Sequence, residues 1–319
     1  MHDSILQFAQ QLSFRPEIKN GPIDAHGKKV IIAGMGGSNL SGGLLKIFDP
    51  SVDIVEHRDY GLPAFSDEVL SKTLLIASSY SGNTEETLDF LSSALQKGLR
   101  PAVIASGGTL LERAKAEGLP YIQIPNTVIQ PRVAVGLSLV ALAALAGRDD
   151  LLTELTRISG SLDPAVLEEE GKRVAGELSG FIPLVYASDA NKAIAYNWKI
   201  KINETAKTPA FMNVFSELNH NEIASFSKDI KGPQAPFKII LIKDSDDHPR
   251  VKVRMRATSE VLEQLGVTSI ETTLEGNTRI ERALRSLVTA DWAAYHLALS
   301  YGADPDHIPT IEEFKKHIA

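Results

Sequence analysis

Between residues 29 and 125 the chain returns five times to a short β-branched run, with segments of helical spacing in between, and few folds accept that alternation. KVIIAG (29–34), VDIVEH (52–57), KTLLIASS (72–79), RPAVIAS (100–106) and PYIQIP (120–125) have the length and composition of strands. Thr84–Lys97 sets Leu88, Leu91 and Leu95 at helical spacing. Strand–helix–strand repetition of this kind builds a parallel, doubly wound sheet. A polar stretch, 147–164, breaks the pattern as a crossing helix or a linker. A second cycle follows, with strands at FIPLVYAS (181–188), FKIILIKD (237–244) and VTSIETTLEG (267–276) and helices over 189–206, 249–265 and 279–300. With 319 residues, more than one core usually holds, the expectation is an α/β chain of two αβα sandwich domains, 1–150 and 151–319. The tail IPTIEEFKKHIA (308–319) is an amphipathic helix, expected to pack.

Composition narrows the chemistry. The chain has no Cys, which excludes disulfides, thiolate metal sites and Cys nucleophiles, and its eight His residues show no HExxH spacing. A metal is not required. A net charge of −7 argues against a nucleic-acid surface but not against a small phosphorylated ligand, since a pocket's local field can differ from the net. The longest apolar stretch, Val133–Ala146, is interrupted by Gly136 and Ser138 and is too short to span a bilayer, so it is a buried core helix. The opening MHDSILQFAQQLSF has neither a basic region nor a long apolar run. A secretory signal is not expected there, and the expected location is the cytoplasm.

Two segments carry anion-binding features. KVIIAGMGGSNLSGG (29–43) is a strand, a Gly-rich turn and a helix start, an arrangement that brings backbone N–H groups and a positive dipole end close to an anion. It is not a dinucleotide fingerprint: after Gly34 and Gly36 the third glycine falls at Asn39. IASSYSGNTEETLDFL (76–91) sets Ser79, Ser81 and Thr84 at the carboxyl end of the third strand, where open α/β sheets bind ligands. Hydroxyls and turn N–H groups about one point suit a phosphate monoester. Helix capping is the competing explanation. It accounts for Asn83 and for Glu85 and Glu86 in the first turn, though not for the whole cluster.

GMGGSNLSG and SSYSGNTEET resemble the sugar-isomerase (SIS) domain. With ELNHNE, NET and PRVAVG further on, the chain is similar over its whole length to the bifunctional phosphoglucose/phosphomannose isomerase family, in the phosphoglucose isomerase superfamily. The resemblance implies two SIS domains and an aldose–ketose isomerase of glucose 6-phosphate, mannose 6-phosphate and fructose 6-phosphate that works through a cis-enediol without metal or cofactor, with a place in glycolysis and gluconeogenesis. It implies phosphate binding by Gly37, Ser38, Ser79, Ser81 and Thr84. Arg132 in QPRVAVG then steadies the enediol, Glu204 in INETAK is the base, and His220 in ELNHNEI assists ring opening. Lys315 in IEEFKK matches a C-terminal lysine, with Lys316 in the neighbouring register. A homodimer with shared sites is implied as well, His220 crossing to the opposite subunit after an apolar, interface-forming stretch, PAFMNVF (209–215).

These residue types suit the chemistry. One carboxylate can carry a proton between carbons 1 and 2 if it is held near both, and Glu204 shares a helix face with Ala193, Asn197 and Ile200, which should partly desolvate it. Arg132 follows Pro131, which fixes the loop, and its charge is permanent. His220 lies in a polar turn, where an imidazole can give or take a proton near neutrality. The competing assignments are ordinary ones: an exposed glutamate, a loop arginine, a surface histidine and a solvated lysine face. Two other functions compete, an amino-sugar phosphate isomerase or deaminase and a non-catalytic sugar-phosphate sensor. About 28 residues before the first strand are too few for a DNA-binding helix-turn-helix unit.

Overall fold

The computed structural model describes residues 1–25, 27–127, 129–227 and 236–318. Ala319, the last residue of the expected tail helix, lies outside them. Two compact units form, one of Leu6–Asp163 and one of Met1–Ile5 with Pro164–Ala319. In chain order the elements are α1 (His2–Leu6), α2 (Phe8–Gln11), β1 (Val30–Ala33), α3 (Leu40–Phe48), β2 (Ile54–His57), α4 (Asp67–Ser71), β3 (Leu74–Ser79), α5 (Glu85–Gln96), β4 (Ala102–Ala105), α6 (Gly108–Ala116), β5 (Tyr121–Gln123), α7 (Val135–Leu145) and α8 (Asp149–Ser159). There follow α9 (Glu168–Leu178), β6 (Ile182–Ser188), α10 (Lys192–Thr205), β7 (Phe211–Phe215), β8 (Phe237–Lys243), α11 (Pro249–Gln264), β9 (Ser269–Thr273), α12 (Arg279–Ser300) and α13 (Pro309–Ile318). Each unit is a parallel sheet covered by helices, a mixed α/β fold.

In the Leu6–Asp163 unit the sheet order is β2-β1-β3-β4-β5, every pair parallel. β1, β3 and β4 are buried along their whole length, as strands covered on both faces must be. One face packs Ile31, Leu75 and Val103 against Phe90 and Leu91 of α5 and Leu110 of α6. The chain steps from β1 outward to β2 and then crosses back to β3 on the other side of β1. The β1/β3 boundary is therefore the topological switch point. The 147–164 stretch contains α8, whose Leu151, Leu155 and Ile158 are buried, so the helix alternative holds there and not the linker.

In the other unit the order is β7-β6-β8-β9, again all parallel. Side chains alternate across a strand. Leu184, Tyr186, Ile239 and Leu241 face a cluster with Met255 and Leu262 of α11. Val185, Ala187, Ile240 and Ile242 are buried on the opposite face, where α10 and α12 pack. Residues 209–215, expected to seek a partner, contain edge strand β7, whose backbone is paired with β6. α12 packs so closely on α9 that a Cβ on Gly171 would lie 2.3 Å from the Trp292 Cβ. Buried Trp198 donates to Ser286 Oγ (2.9 Å) and buried Trp292 to Pro164 O (2.8 Å), which meets the polar requirement of an interior indole. The first five residues sit here because the Met1 amine pairs with Asp306 (3.0 Å) and His2 meets the Trp292 ring edge. Ile311 and Phe314 of α13 are exposed in the single chain, 40% and 59%, so the tail is not the packed helix expected. Among the described residues no helix is long and apolar enough to cross a membrane.

A charge pair also lies between helices: Lys201 of α10 and Asp291 of α12 are 2.5 Å apart and both wholly buried. Removing one partner takes away the opposite charge that offsets the burial of the other, whereas replacing both with apolar residues need not destabilise. Lys201→Met is expected to lower unfolding stability by about 3–5 kcal/mol, and Lys201→Met/Asp291→Leu to recover most of that loss. Urea denaturation of the two variants checks this, and equal losses would contradict it.

Candidate active site

At the β1/β3 switch point two loops meet. After β1 the chain makes a tight 3-10 turn, Gly36–Ser38, before entering α3. Only glycine fits at 37, because a Cβ there would stand 2.4 Å from Pro131 O and 3.1 Å from the Arg132 nitrogen. Ser38 is buried, and its Oγ accepts from Tyr80 N (3.0 Å) while its carbonyl accepts from Ser78 Oγ (3.1 Å). The Gly-rich turn is thus tied directly to the β3 loop. Asn39, also buried, donates to Gly34 O (2.9 Å) and His57 O (3.0 Å), joining the ends of β1 and β2.

The second loop, 79–84, is tied down just as tightly. Ser79 Oγ and Thr84 Oγ1 are 2.8 Å apart, and Ser79 Oγ also accepts from Gly82 N (3.1 Å). Gly82 has φ +73°, and a Cβ there would sit 1.8 Å from Gly107 O. The loop therefore packs on the start of α6 with no room for a side chain. Ser106 Oγ donates to Tyr80 O (2.6 Å) from the neighbouring strand end. Thr84 is the N-cap residue of α5 but makes no side-chain capping bond, so the first N–H groups of that helix have no hydroxyl or carboxamide cap. Asn83 does not cap α5, as the sequence suggested. Its Oδ1 accepts from Thr109 N (3.0 Å) at the start of α6.

The structure therefore gathers Gly37, Ser38, Ser79, Ser81 and Thr84 at one strand edge, with Ser81 exposed and Thr84 half-buried toward it. Arg132 joins them through the Pro131 contact. It is 1% exposed, and one of its guanidinium nitrogens donates to Gln130 Oε1 (3.2 Å). Gln11 of α2 holds the far side of that loop: its Nε2 donates to Val133 O (2.9 Å), and its Oε1 accepts from Gly136 N (3.1 Å) at the start of α7. Turn N–H groups, hydroxyls and a buried guanidinium loop at one sheet edge are the donors from which an anion cradle is built, and they make this edge the candidate. Asn39, Ser78, Ser106 and Gln11 were not anticipated. Each supports a backbone from a distant strand or helix, and no local pattern reveals such a pairing.

Glu204, His220 and Lys315 belong to the other unit. Glu204 is half-buried in the last turn of α10, on the face that holds buried Asn197 and Ile200, as its spacing implied. Lys207 Nζ donates to its backbone carbonyl (2.7 Å) and fastens the helix end. His220 is exposed and follows the 3-10 turn Glu217–Asn219. Lys315 and Lys316 are both exposed on α13, and Lys316 pairs with Glu313 (2.9 Å). The fold does not bring Glu204 and His220 of one chain together. α10 packs on the Val185 face of the sheet, whereas the turn before His220 puts Leu218 into the Tyr186 face with α11. Among the described residues no three His, Asp or Glu side chains converge as a metal-ligand set.

The cradle predicts anion affinity. Each lost hydrogen bond to a charged oxygen should cost roughly 1.5 kcal/mol or more, about tenfold in Kd. Gly37→Ala, which must push the Pro131 carbonyl away, and Ser81→Ala/Thr84→Ala are expected to weaken inorganic phosphate binding by at least that factor in titration calorimetry. An unchanged Kd in both would make the loops structural caps.

Known proteins supply an independent comparison. The family described as bacterial phospho-glucose isomerase C-terminal SIS domain matches residues 167–318. A bifunctional phosphoglucose/phosphomannose isomerase from Caldicellulosiruptor bescii is 36% identical over 342 aligned positions, covering 100% of this chain and 99% of its own. One from Aquifex aeolicus is 36% identical, covering 91% and 90%. Among solved structures, a glucose-6-phosphate isomerase like protein from Thermus thermophilus superimposes with a TM-score of 0.62 at 18% identity, covering 98% of this chain and 93% of its own, a likeness of fold.

Proposed function

The chain belongs to the bifunctional phosphoglucose/phosphomannose isomerase family, and from that membership we propose that it interconverts glucose 6-phosphate and mannose 6-phosphate with fructose 6-phosphate through a cis-enediol. The observation that carries the reading is the cradle at the β1/β3 switch point, where buried Ser38 and Ser79, half-buried Thr84 and the Gly37 turn present donors to a phosphate monoester.

The phosphate anchors the sugar, and the reaction moves one proton from carbon 2 to carbon 1 and one from the carbon-2 oxygen to the carbon-1 oxygen. His220 exchanges protons with the ring oxygen and the anomeric hydroxyl as the pyranose opens. Glu204 then takes the proton from carbon 2 and returns it to carbon 1, while a second proton passes from the carbon-2 hydroxyl to the carbon-1 carbonyl oxygen, so that the enediol closes to the ketone. Arg132 faces the negative charge that develops on the enediol oxygens and, unlike a lysine, keeps its charge at any working pH. Lys315 supplies a second cation from α13. Glucose and mannose 6-phosphate lose their difference at carbon 2 in the same enediol, so one base serves both. The setting is the cytoplasm, within hexose phosphate metabolism.

The active form is a homodimer with shared sites. The support is the position of the two residues: one sheet separates Glu204 from His220 within a chain, and α10, about 20 Å long, carries Glu204 back toward the start of β7 whereas His220 follows the end of that strand. An exposed His220 on one chain can instead serve Glu204 on another.

A coupled assay with each hexose phosphate, with and without chelator, tests the activity. Ammonia release from glucosamine 6-phosphate with no hexose phosphate conversion would favour a deaminase. Glu204→Gln is expected to keep the fold and substrate binding and to lose about 10²-fold or more in kcat. Near-normal turnover would remove Glu204 from the mechanism. Co-refolding Glu204→Gln with His220→Ala in equal amounts should restore about a quarter of wild-type activity, because each mixed dimer holds one site with both residues intact. No recovery, with mixed dimers verified by native mass spectrometry, would place each site within one chain.

A further inference from the structure

In the 217–222 segment that carries His220, every other residue directs its side chain into the scaffold or its own turn. Leu218 is 1% exposed in the α11-face core. Asn219 Nδ2 donates to Thr258 Oγ1 of α11 (2.8 Å), and Arg254 of the same helix reaches Asn219 Oδ1 (3.4 Å). Asn221 closes the turn on itself: its Nδ2 donates to Glu217 Oε1 (2.7 Å), and its Oδ1 accepts from Glu222 N (2.5 Å). Glu222 alone reaches two strands of the sheet. Its Oε1 accepts from the Tyr186 hydroxyl of β6 (2.5 Å) and its Oε2 from Asn213 Nδ2 of β7.

Tyr186 and Asn213 are register partners on adjacent strands, so the two carboxylate oxygens of Glu222 grip the sheet at two neighbouring points. Tyr186 is 1% exposed and its ring stands edge-on to Phe215 at 6.3 Å, which leaves its hydroxyl little freedom to follow a moving partner. Burial, reinforced by the carboxylate beside it, pushes the Tyr186 phenol well above its usual range, so it stays protonated and donates. A charge-assisted pair of this kind is among the stronger protein hydrogen bonds. His220 itself is exposed, two residues from the grip.

We propose that Glu222, clamped by Tyr186 and Asn213, is a positioning residue that fixes the His220 imidazole for ring opening. The inference rests on the reading of His220 as the ring-opening residue. The clamp touches no substrate. It turns a short exposed segment, which would otherwise wander, into a rigid extension of β6 and β7. A misplacement of about 1 Å at a reacting group can cost up to 10²-fold in rate, so a loosened clamp should lower kcat/KM without disturbing phosphate affinity.

The test is a double-mutant cycle on kcat/KM for glucose 6-phosphate, with the purified full-length enzyme. Glu222→Gln and, separately, Tyr186→Phe are made in the wild-type and in the His220→Ala background. Both are expected to lower kcat/KM by about 10-fold or more in the first and to have almost no further effect in the second, because a positioning residue has nothing to position once the imidazole is gone. The Kd for inorganic phosphate should stay within about twofold in every variant. Equal losses in both backgrounds, or no loss in the wild-type background, would overturn the clamp. If His220→Ala itself turns over normally, the reading of His220 fails and the clamp fails with it. If His220→Ala is slow while both clamp variants are normal, the clamp alone is wrong. Tyr186→Phe removes a single hydroxyl inside an intact core, which keeps the cycle decisive if Glu222→Gln does not fold.

Discussion

Gly37 meets Pro131 backbone to backbone, with no space for a side chain between them, and the candidate anion cradle depends on that contact. It sets the height of the Gly36–Ser38 turn above the sheet edge and fixes the peptide that carries Arg132. The guanidinium can then be buried without its loop paying in disorder, since Pro131 restricts the preceding dihedral and Gln11 holds Val133 and Gly136 from behind. Ser38 extends the linkage to β3 through Tyr80 and Ser78, and Gly82 extends it to α6. Five segments distant in sequence thus converge through close backbone contacts that a single methyl group would open. Preorganised donors of this kind bind an anion without first ordering a loop.

In the second unit the same economy appears in another form. Glu204 projects from the end of α10, one turn after Lys201, and the buried Lys201–Asp291 pair fixes that helix against α12. A buried ion pair adds little net stability over apolar packing, but losing one of its charges is strongly destabilising, so the two helices are coupled at this point. Glu204, the proposed base, therefore extends from a helix whose preceding turn is paired to α12. His220 is held from the opposite face of the sheet through Glu222. The segments that carry the two residues are tied down by different contacts, on opposite faces of one sheet.

Much of this was legible in the sequence, for identifiable reasons. Strands β1, β3, β4, β6 and β8 are buried on both faces, and their continuous apolar runs announce themselves. The hydroxyl cluster 79–84 and the Gly turn stand out because no core position calls for such residues. β7 was missed because an edge strand alternates exposed and half-buried side chains, and FMNVF with Phe211 57% exposed resembles an interface patch as much as a strand. The capping assignment of Asn83 failed because its partner, Thr109, belongs to the next helix and not to its own. The unexpected supports, Gln11, Asn39 and Ser106, act over sequence separations that no local spacing encodes. Glu222 was visible as part of ELNHNE, but its reach to Tyr186, 36 residues earlier, was not.

The two units repeat one topology yet treat their switch points in opposite ways. In the second, the boundary falls between β6 and β8, and its crevice is filled by the chain's own polar groups. Asn191 donates to Ser188 Oγ, Asp244 Oδ2 and Asp247 Oδ1, and Asp247 in turn accepts from the backbone nitrogen of Asp244. Arg282 comes in from α12 to Asp244 (3.2 Å) and Asp246. Burial pushes the Asp247 carboxyl above its usual range, which eases the crowding of acids there. A phosphate arriving at this edge would have to displace carboxylates already paired with the one guanidinium among these groups, and would meet their repulsion before any donor. At the β1/β3 edge the corresponding loop carries hydroxyls, glycines and backbone N–H groups, and its first acids, Glu85 and Glu86, lie in the helix that follows. What separates the candidate cradle from a closed polar network on the same fold is therefore the charge at two strand ends, neutral donors at one and carboxylates at the other, and the sheet beneath them is free to be the same.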